Sequence, residues 1–286
     1  MAVDYWNAPA ADPDYRWAFG GKTEPVGTAC DSCPVIEDWS ELDGFILEYP
    51  DPNYPAAVDS IISARNQHPD RYILAGWHCF FHQYLEYLRG IENILIDLYD
   101  ERDKVFILLD RVMEFYKVWI PRVAEAGADG VWGCDDLGTQ RGLFISPGMF
   151  REIYLPYYIE LGELLHAYNL DYWLHTCGCI SDLLDDFIEC GINVLNPIQA
   201  GVMNDREIME NYHGKIAFWI GMDMQILPFA SPGEVRSSVL DRVNTFYRPE
   251  GGLLVGMGNA LTVDVPTENL YALKEALCEA VCNVEA

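Results

Sequence analysis

From residue 71 to the C-terminus the sequence repeats one pattern that few folds accept: a short apolar run, then a longer amphipathic stretch. YILAG (72–76), DGVWGC (129–134), LDYWLH (170–175), INVLNP (192–197), KIAFWIG (215–221) and GGLLVG (251–256) read as buried strands. A long helical stretch follows the first and continues through 100–127; helices at 147–168, 181–190, 204–212, 233–247 and 266–282 follow the others. Apolar strands alternating with amphipathic helices mean a parallel sheet with helical cover. The expected class is therefore α/β, a TIM (β/α)8 barrel over 71–286. Six strands are legible in this span and such a barrel has eight, so the first strand is missing or atypical unless residues 1–70 supply strands. Residues 1–70 read as an irregular segment packing on the barrel, broken by Pro9, Pro13, Pro25, Pro34, Pro50, Pro52 and Pro55. Within it FILEY (45–49) reads as a strand. PAAVDSIISARNQ (55–67) reads as a helix with Pro55 in its first turn. A doubly wound open sheet is the alternative, weakened because no GxGxxG follows any strand.

Charge narrows the partners. The 45 acids and 18 bases leave a formal net charge of -27. Such a surface repels nucleic acid and anionic membranes, and polyanionic ligands too unless a local basic pocket overrides it. No run of apolar residues is long enough for a membrane span, and the acidic N-terminus lacks the features of a signal peptide, so the cytoplasm is the expected location. Nine cysteines without an export signal argue for reduced thiols rather than a disulfide framework.

In a parallel barrel the chemistry gathers where strands end. Here those ends carry Trp77 and His78; Cys134, Asp135 and Asp136; His175 and Cys177; Asn196 and Gln199; Asp223 and Gln225; Met257 and Asn259. HTCGC (175–179) is the sharpest of them. Residues i and i+2 of an extended chain face the same side, so His175 and Cys177 point together with Thr176 opposite. An imidazole beside a thiolate suits zinc. A buried histidine and cysteine, each satisfied locally, is the plainer alternative. Asp135 and Asp136 are neighbours and cannot both face inward; a helix-capping loop aspartate is the plain reading of either. The lone CDSC pair, Cys30 and Cys33, is weak evidence for a zinc knuckle, and Cys278 with Cys282 share a helix face as packing thiols. His68, His82, His166 and His213 read as surface or packing residues.

Four stretches carry a family resemblance: GADGVWGCDDLGTQRGLFISPGMFREIYLPYY (127–158), LHTCGCISDLLDDFIECGINVLNPIQ (174–199), IGMDMQILPFASPGEV (220–235) and VDVPTENLYAL (263–273). With them the chain resembles the uroporphyrinogen decarboxylase superfamily, most closely its corrinoid-dependent methyltransferases. The resemblance implies a TIM barrel. It also implies methyl transfer between a small methylated substrate (a methoxyaromatic or a methylamine) and a separate corrinoid-binding protein at a zinc site. His175 and Cys177 match the HxC ligands of the coenzyme M type. Met257 stands roughly where that type has a later cysteine and is a poor zinc ligand, so Asp136, Cys134 or Asp223 is left to complete the shell. Family members begin earlier, so a short form or a fragment is expected, leaving an edge for a partner or a second copy in a homodimer.

Two other readings stand beside this one. A decarboxylase acting on a tetrapyrrole with eight carboxylates needs several arginines at its pocket, and only Arg89, Arg141 and Arg151 lie near site segments. A non-catalytic barrel, an inactive subunit or scaffold, is the other. For methyl transfer the expected roles are Asp136 and Asp223 for substrate or proton positioning, Gln140, Gln199 and Asn259 as hydrogen-bonding walls, and zinc on His175 and Cys177. The corrinoid comes from the partner, because no DxHxxG occurs in the chain.

Overall fold

A computed structural model describes residues 34–284 apart from Glu48, Pro50, Ala260 and Thr262. The CDSC pair lies outside the described residues, as do the side chains of Trp77, His78 and Cys282. Six strands form one sheet in chain order: β1 (Leu74–Cys79), β2 (Gly130–Cys134), β3 (Asp171–His175), β4 (Val194–Ile198), β5 (Ala217–Gly221) and β6 (Leu253–Gly256). The pairs β1–β2, β4–β5 and β5–β6 run parallel, and helices connect the strands in sequence, so the α/β barrel class expected from the apolar rhythm stands.

Two local readings change. FILEY is not a strand: α1 covers Leu42–Leu47. A capping box between Asp38 and Glu41 opens the preceding turn, and Leu42 and Phe45 are buried three residues apart while Leu47 is exposed. Helical spacing thus wins over local β propensity. After α2 (Asp59–Gln67), the long stretch beyond β1 is three helices, α3 (His82–Arg89), α4 (Ile91–Asp100) and α5 (Arg102–Glu125). Gly90, with φ of 78°, turns the chain between the first two. Past β2 come the single turn α6 (Pro147–Met149), a π-helical turn (Phe150–Tyr154) and α7 (Leu155–Ala167). The rest are α8 (Leu184–Glu189), α9 (Asp205–Tyr212), α10 (Pro232–Phe246) and α11 (Thr267–Val284).

The chain divides into two compact units. The first holds the described residues through Asp136 together with Ile145–Leu174 and Glu189–Gly191; the second holds Leu137–Phe144, His175–Ile188 and the described residues from Ile192 onward. An aromatic core fills the first unit. Phe81 meets Tyr158 at 5.2 Å between ring centroids, and Phe80 meets Tyr172 edge-on at 5.3 Å. An acidic residue sits inside it. Asp135 is fully buried and accepts hydrogen bonds from Phe81 N (2.9 Å), Gln83 N (2.5 Å) and Tyr158 Oη (2.5 Å). It therefore caps the first turn of α3, which has no side-chain cap of its own. Arg89, at the other end of α3, is likewise committed: it pairs with Asp97 at 2.8 Å, donates to the Ile36 and Glu37 carbonyls, and lies over the Trp39 ring.

In the second unit β4, β5 and β6 lie side by side, and α10 packs against α9 and α11. Pro232 stands in the first turn of α10, and Ser231 and Glu234 close a capping box on it. Ser231→Ala should cost about 1 kcal/mol of stability, read as a lower urea midpoint. The hydrogen bonds from Ser231 hold the Glu234 carboxyl below its ordinary pKa. A depressed carboxyl stabilises the fold above the ordinary value and loses that contribution as pH falls through the lowered one, so Ser231→Ala should flatten stability against pH on the acid side.

Candidate metal centre and substrate pocket

The ends of the second unit's strands build one pocket. It holds about 160 Å³ and is lined by Cys177, Pro197, Gln199, Asp223 and Asn259, with Gln140 from the Leu137–Phe144 segment. A volume below the usual 300–1,000 Å³ of drug-sized sites admits a small ligand. Of the seven residues singled out in the sequence, this pocket gathers Gln140, Cys177, Gln199, Asp223 and Asn259.

His175 and Cys177 meet as the alternation argument requires. His175 Nε2 lies 3.4 Å from Cys177 Sγ. Thr176 turns the other way, its Oγ1 accepting from Leu137 N at 3.2 Å. The imidazole is buried and held by its second nitrogen: Nδ1 is 2.5 Å from Asn196 Oδ1. An amide oxygen can only accept, so Nδ1 carries the proton and Nε2 presents its lone pair toward the thiol. That is the arrangement of a metal-binding histidine with its supporting acceptor. Two ligands on a tetrahedral zinc, with Zn–N and Zn–S near 2.0 and 2.3 Å, stand about 3.5 Å apart, so the pair fits the ion as placed. Asn259 Nδ2 donates to Cys177 Sγ at 3.3 Å, which favours the thiolate that a metal needs.

The loop that carries Cys177 is pinned on both sides. Gly178 N donates to Gln199 Oε1 at 2.8 Å, and Cys179 N donates to Thr139 O at 2.7 Å. Gly178 has φ of 84°, and a Cβ there would stand 2.3 Å from the Gly138 carbonyl group, so only glycine fits. Gln199 Nε2 reaches Gln140 Oε1 at 3.4 Å. Asp223 Oδ1 accepts from Gln225 N at 2.9 Å in a local turn, and its second oxygen lies near Gly201.

Sequence reasoning named Asn196 as a strand-end polar group but gave it no task. A lone amide in an otherwise apolar run was the available signal. His82, read as surface or packing, is fully buried: Nδ1 stands 3.1 Å from Tyr154 Oη and Nε2 faces Glu86 at 3.4 Å. No described helix is long and apolar enough to cross a membrane.

Comparison with known proteins gives the family. No curated protein sequence matches the chain. Among solved structures it is similar to a methyltransferase from Methanosarcina mazei, with a TM-score of 0.61 and 20% identity over 79% of this chain; the chain spans 64% of the length of that protein. At such identity the likeness shows a shared fold. The sequence matches the uroporphyrinogen decarboxylase (URO-D) family over residues 32–280, and the chain belongs to that family.

Proposed function

We propose that the chain is a methyltransferase that moves a methyl group between a small methylated substrate, a methoxyaromatic or a methylamine, and a corrinoid carried by a separate protein, at a zinc site. The observation that carries this reading is the His175–Cys177 pair, 3.4 Å apart, whose cysteine lines a small pocket. The fold shared with the Methanosarcina mazei methyltransferase supports it. His175 and Cys177 are the assigned metal ligands, and the remaining position is left to Asp136, Cys134 or Asp223. A zinc ion held there supplies a Lewis acid for the heteroatom that loses its methyl group.

The chain's own residues do the rest. Asn196 fixes the imidazole tautomer and Asn259 the thiolate. Gln140, Gln199 and Asn259 hydrogen-bond the substrate and orient its methyl group outward. The methyl–heteroatom bond breaks with both electrons left on oxygen or nitrogen, and Asp136 and Asp223 position the substrate and the proton that the heteroatom takes up. A docking face for the corrinoid protein is at hand: Ile226, Phe229, Met257, Leu261 and Val263 are exposed on the loops after β5 and β6 that also carry Asp223 and Asn259. The decarboxylase reading finds less support, since Arg89 is engaged by Asp97 and two carbonyls.

The test mixes zinc-loaded protein with reduced corrinoid protein and a panel of methoxyaromatics and methylamines, and follows methylation of the corrinoid by absorbance. Transfer from at least one donor is expected, abolished by chelation. Zinc-loaded protein that demethylates no member of the panel would leave the chain a scaffold.

A further inference from the structure

The ladder between β4 and β5 opens at the end that faces the pocket. Val194 pairs with Ala217 and Leu195 with Phe218, after which the register breaks and Ile198 stands opposite Ile220. Pro197 has no N–H to donate, so a rung is missing there. Pro197, Gln199, Gly221 and Met222 line the pocket around the opening. A parallel pair that loses rungs at its end tends to fray, because nothing else fixes the spacing of the two chains.

One side chain bridges the opening. Arg242, on α10, donates from Nη2 to Ile198 O at 2.9 Å and from Nη1 to Gly221 O at 2.5 Å, the carbonyls of the last residues of β4 and β5. Asp205, in the first turn of α9, takes the same guanidinium as a fork, from Nε at 2.8 Å and Nη2 at 3.0 Å. The Arg242 side chain is 11% exposed. A guanidinium so enclosed is held in one orientation by its carboxylate, and its planar fork spans two acceptors that a lysine could not reach together.

We infer that Arg242, locked by Asp205, is a positioning residue that sets the width of the gap between β4 and β5 and thereby the placing of Gln199 and Asp223. Gln199 follows Ile198 directly and takes the Gly178 N–H beside Cys177. Asp223 lies two residues past Gly221. The splint thus reaches both walls of the pocket without touching its contents. The inference rests on the pocket being the methyl-donor site proposed above.

Hydrogen exchange and kinetics on Arg242→Gln, Arg242→Lys and Asp205→Asn test it. In Arg242→Gln, amide exchange across 195–200 and 220–225 should rise about tenfold or more, the loss expected when a charged donor leaves two carbonyls, while β1 and β2 keep wild-type rates. The KM for the methyl donor should rise about tenfold with kcat and zinc content little changed, as for lost ground-state positioning. Arg242→Lys should restore only part of either effect. A merely structural role would raise exchange throughout and leave KM alone, and that result overturns the inference. So does unchanged exchange at the two strand ends. If Arg242→Gln does not fold, Asp205→Asn, which keeps both carbonyl donors but frees the fork, decides by the same readouts. Should the wild-type protein transfer no methyl group, the proposed function falls, while the exchange pattern still decides whether the splint exists.

Discussion

Cys177→Ala should purify without stoichiometric zinc and transfer methyl groups about a thousandfold more slowly, the share of a barrier that a Lewis-acidic ion commonly carries. The reason lies in the pairing of the two assigned ligands, 3.4 Å apart. His175 offers one lone pair, because its other nitrogen is spent on Asn196. Removing the thiolate leaves an imidazole with no partner two residues on, and Asn259 then donates toward an empty position. Asn196→Ala is the graded counterpart. It leaves both ligands in place but lets the ring turn, and zinc affinity should fall about 10–100-fold. Metal analysis of the two purified variants, with a chelator titration, separates the cases. Full zinc and full transfer in Cys177→Ala would remove Cys177 from the centre, and equal affinity in Asn196→Ala would remove the support assigned to it.

The second large effect is on stability. Asp135→Ala should cost about 3–5 kcal/mol, because it strands two backbone N–H groups and a tyrosine hydroxyl in a dry core. That is a large share of the roughly 5–15 kcal/mol that holds a typical protein folded. Burial pushes the Asp135 carboxyl above its ordinary pKa, so part of its desolvation cost is already borne in the native state. Asp135→Asn keeps an acceptor and should lose less than half as much. Urea unfolding of the pair checks the order, and an alanine variant as stable as wild type would mean that α3 finds another cap.

What the sequence made legible follows from the range of the interactions involved. A strand such as β4 (Val194–Ile198) declares itself because burial on both faces leaves a nearly continuous apolar run. The pocket was legible for a related reason: polar residues placed just after such runs, Gln199, Asp223 and Asn259 among them, have one mouth to share. The start of α3 was not. Its cap is Asp135, 54 residues beyond Phe81, and no local pattern announces a partner that distant. Arg242 was hidden in the same way, as one basic residue on an amphipathic helix whose acceptors lie on two other elements. FILEY misled because Phe45 and Ile46 favour a strand locally, whereas its burial was decided by what packs on one side of α1.

The wide, π-helical turn at Phe150–Tyr154 changes the phase of its helix. Pro156, just after it, has no N–H for the carbonyl four residues back and crowds that carbonyl with its ring, and a turn holding one residue more relieves both. An α-helix advances about 100° with each residue. The surplus residue therefore swings everything that follows by that angle against the residues that precede it. Tyr154, in the turn, and Tyr158, just past it, serve His82 and Asp135. A relative shorter by one residue here would keep the same hydropathy and the same tyrosines, yet aim them elsewhere, so equivalence of positions across this helix has to be judged by angle before it is judged by alignment.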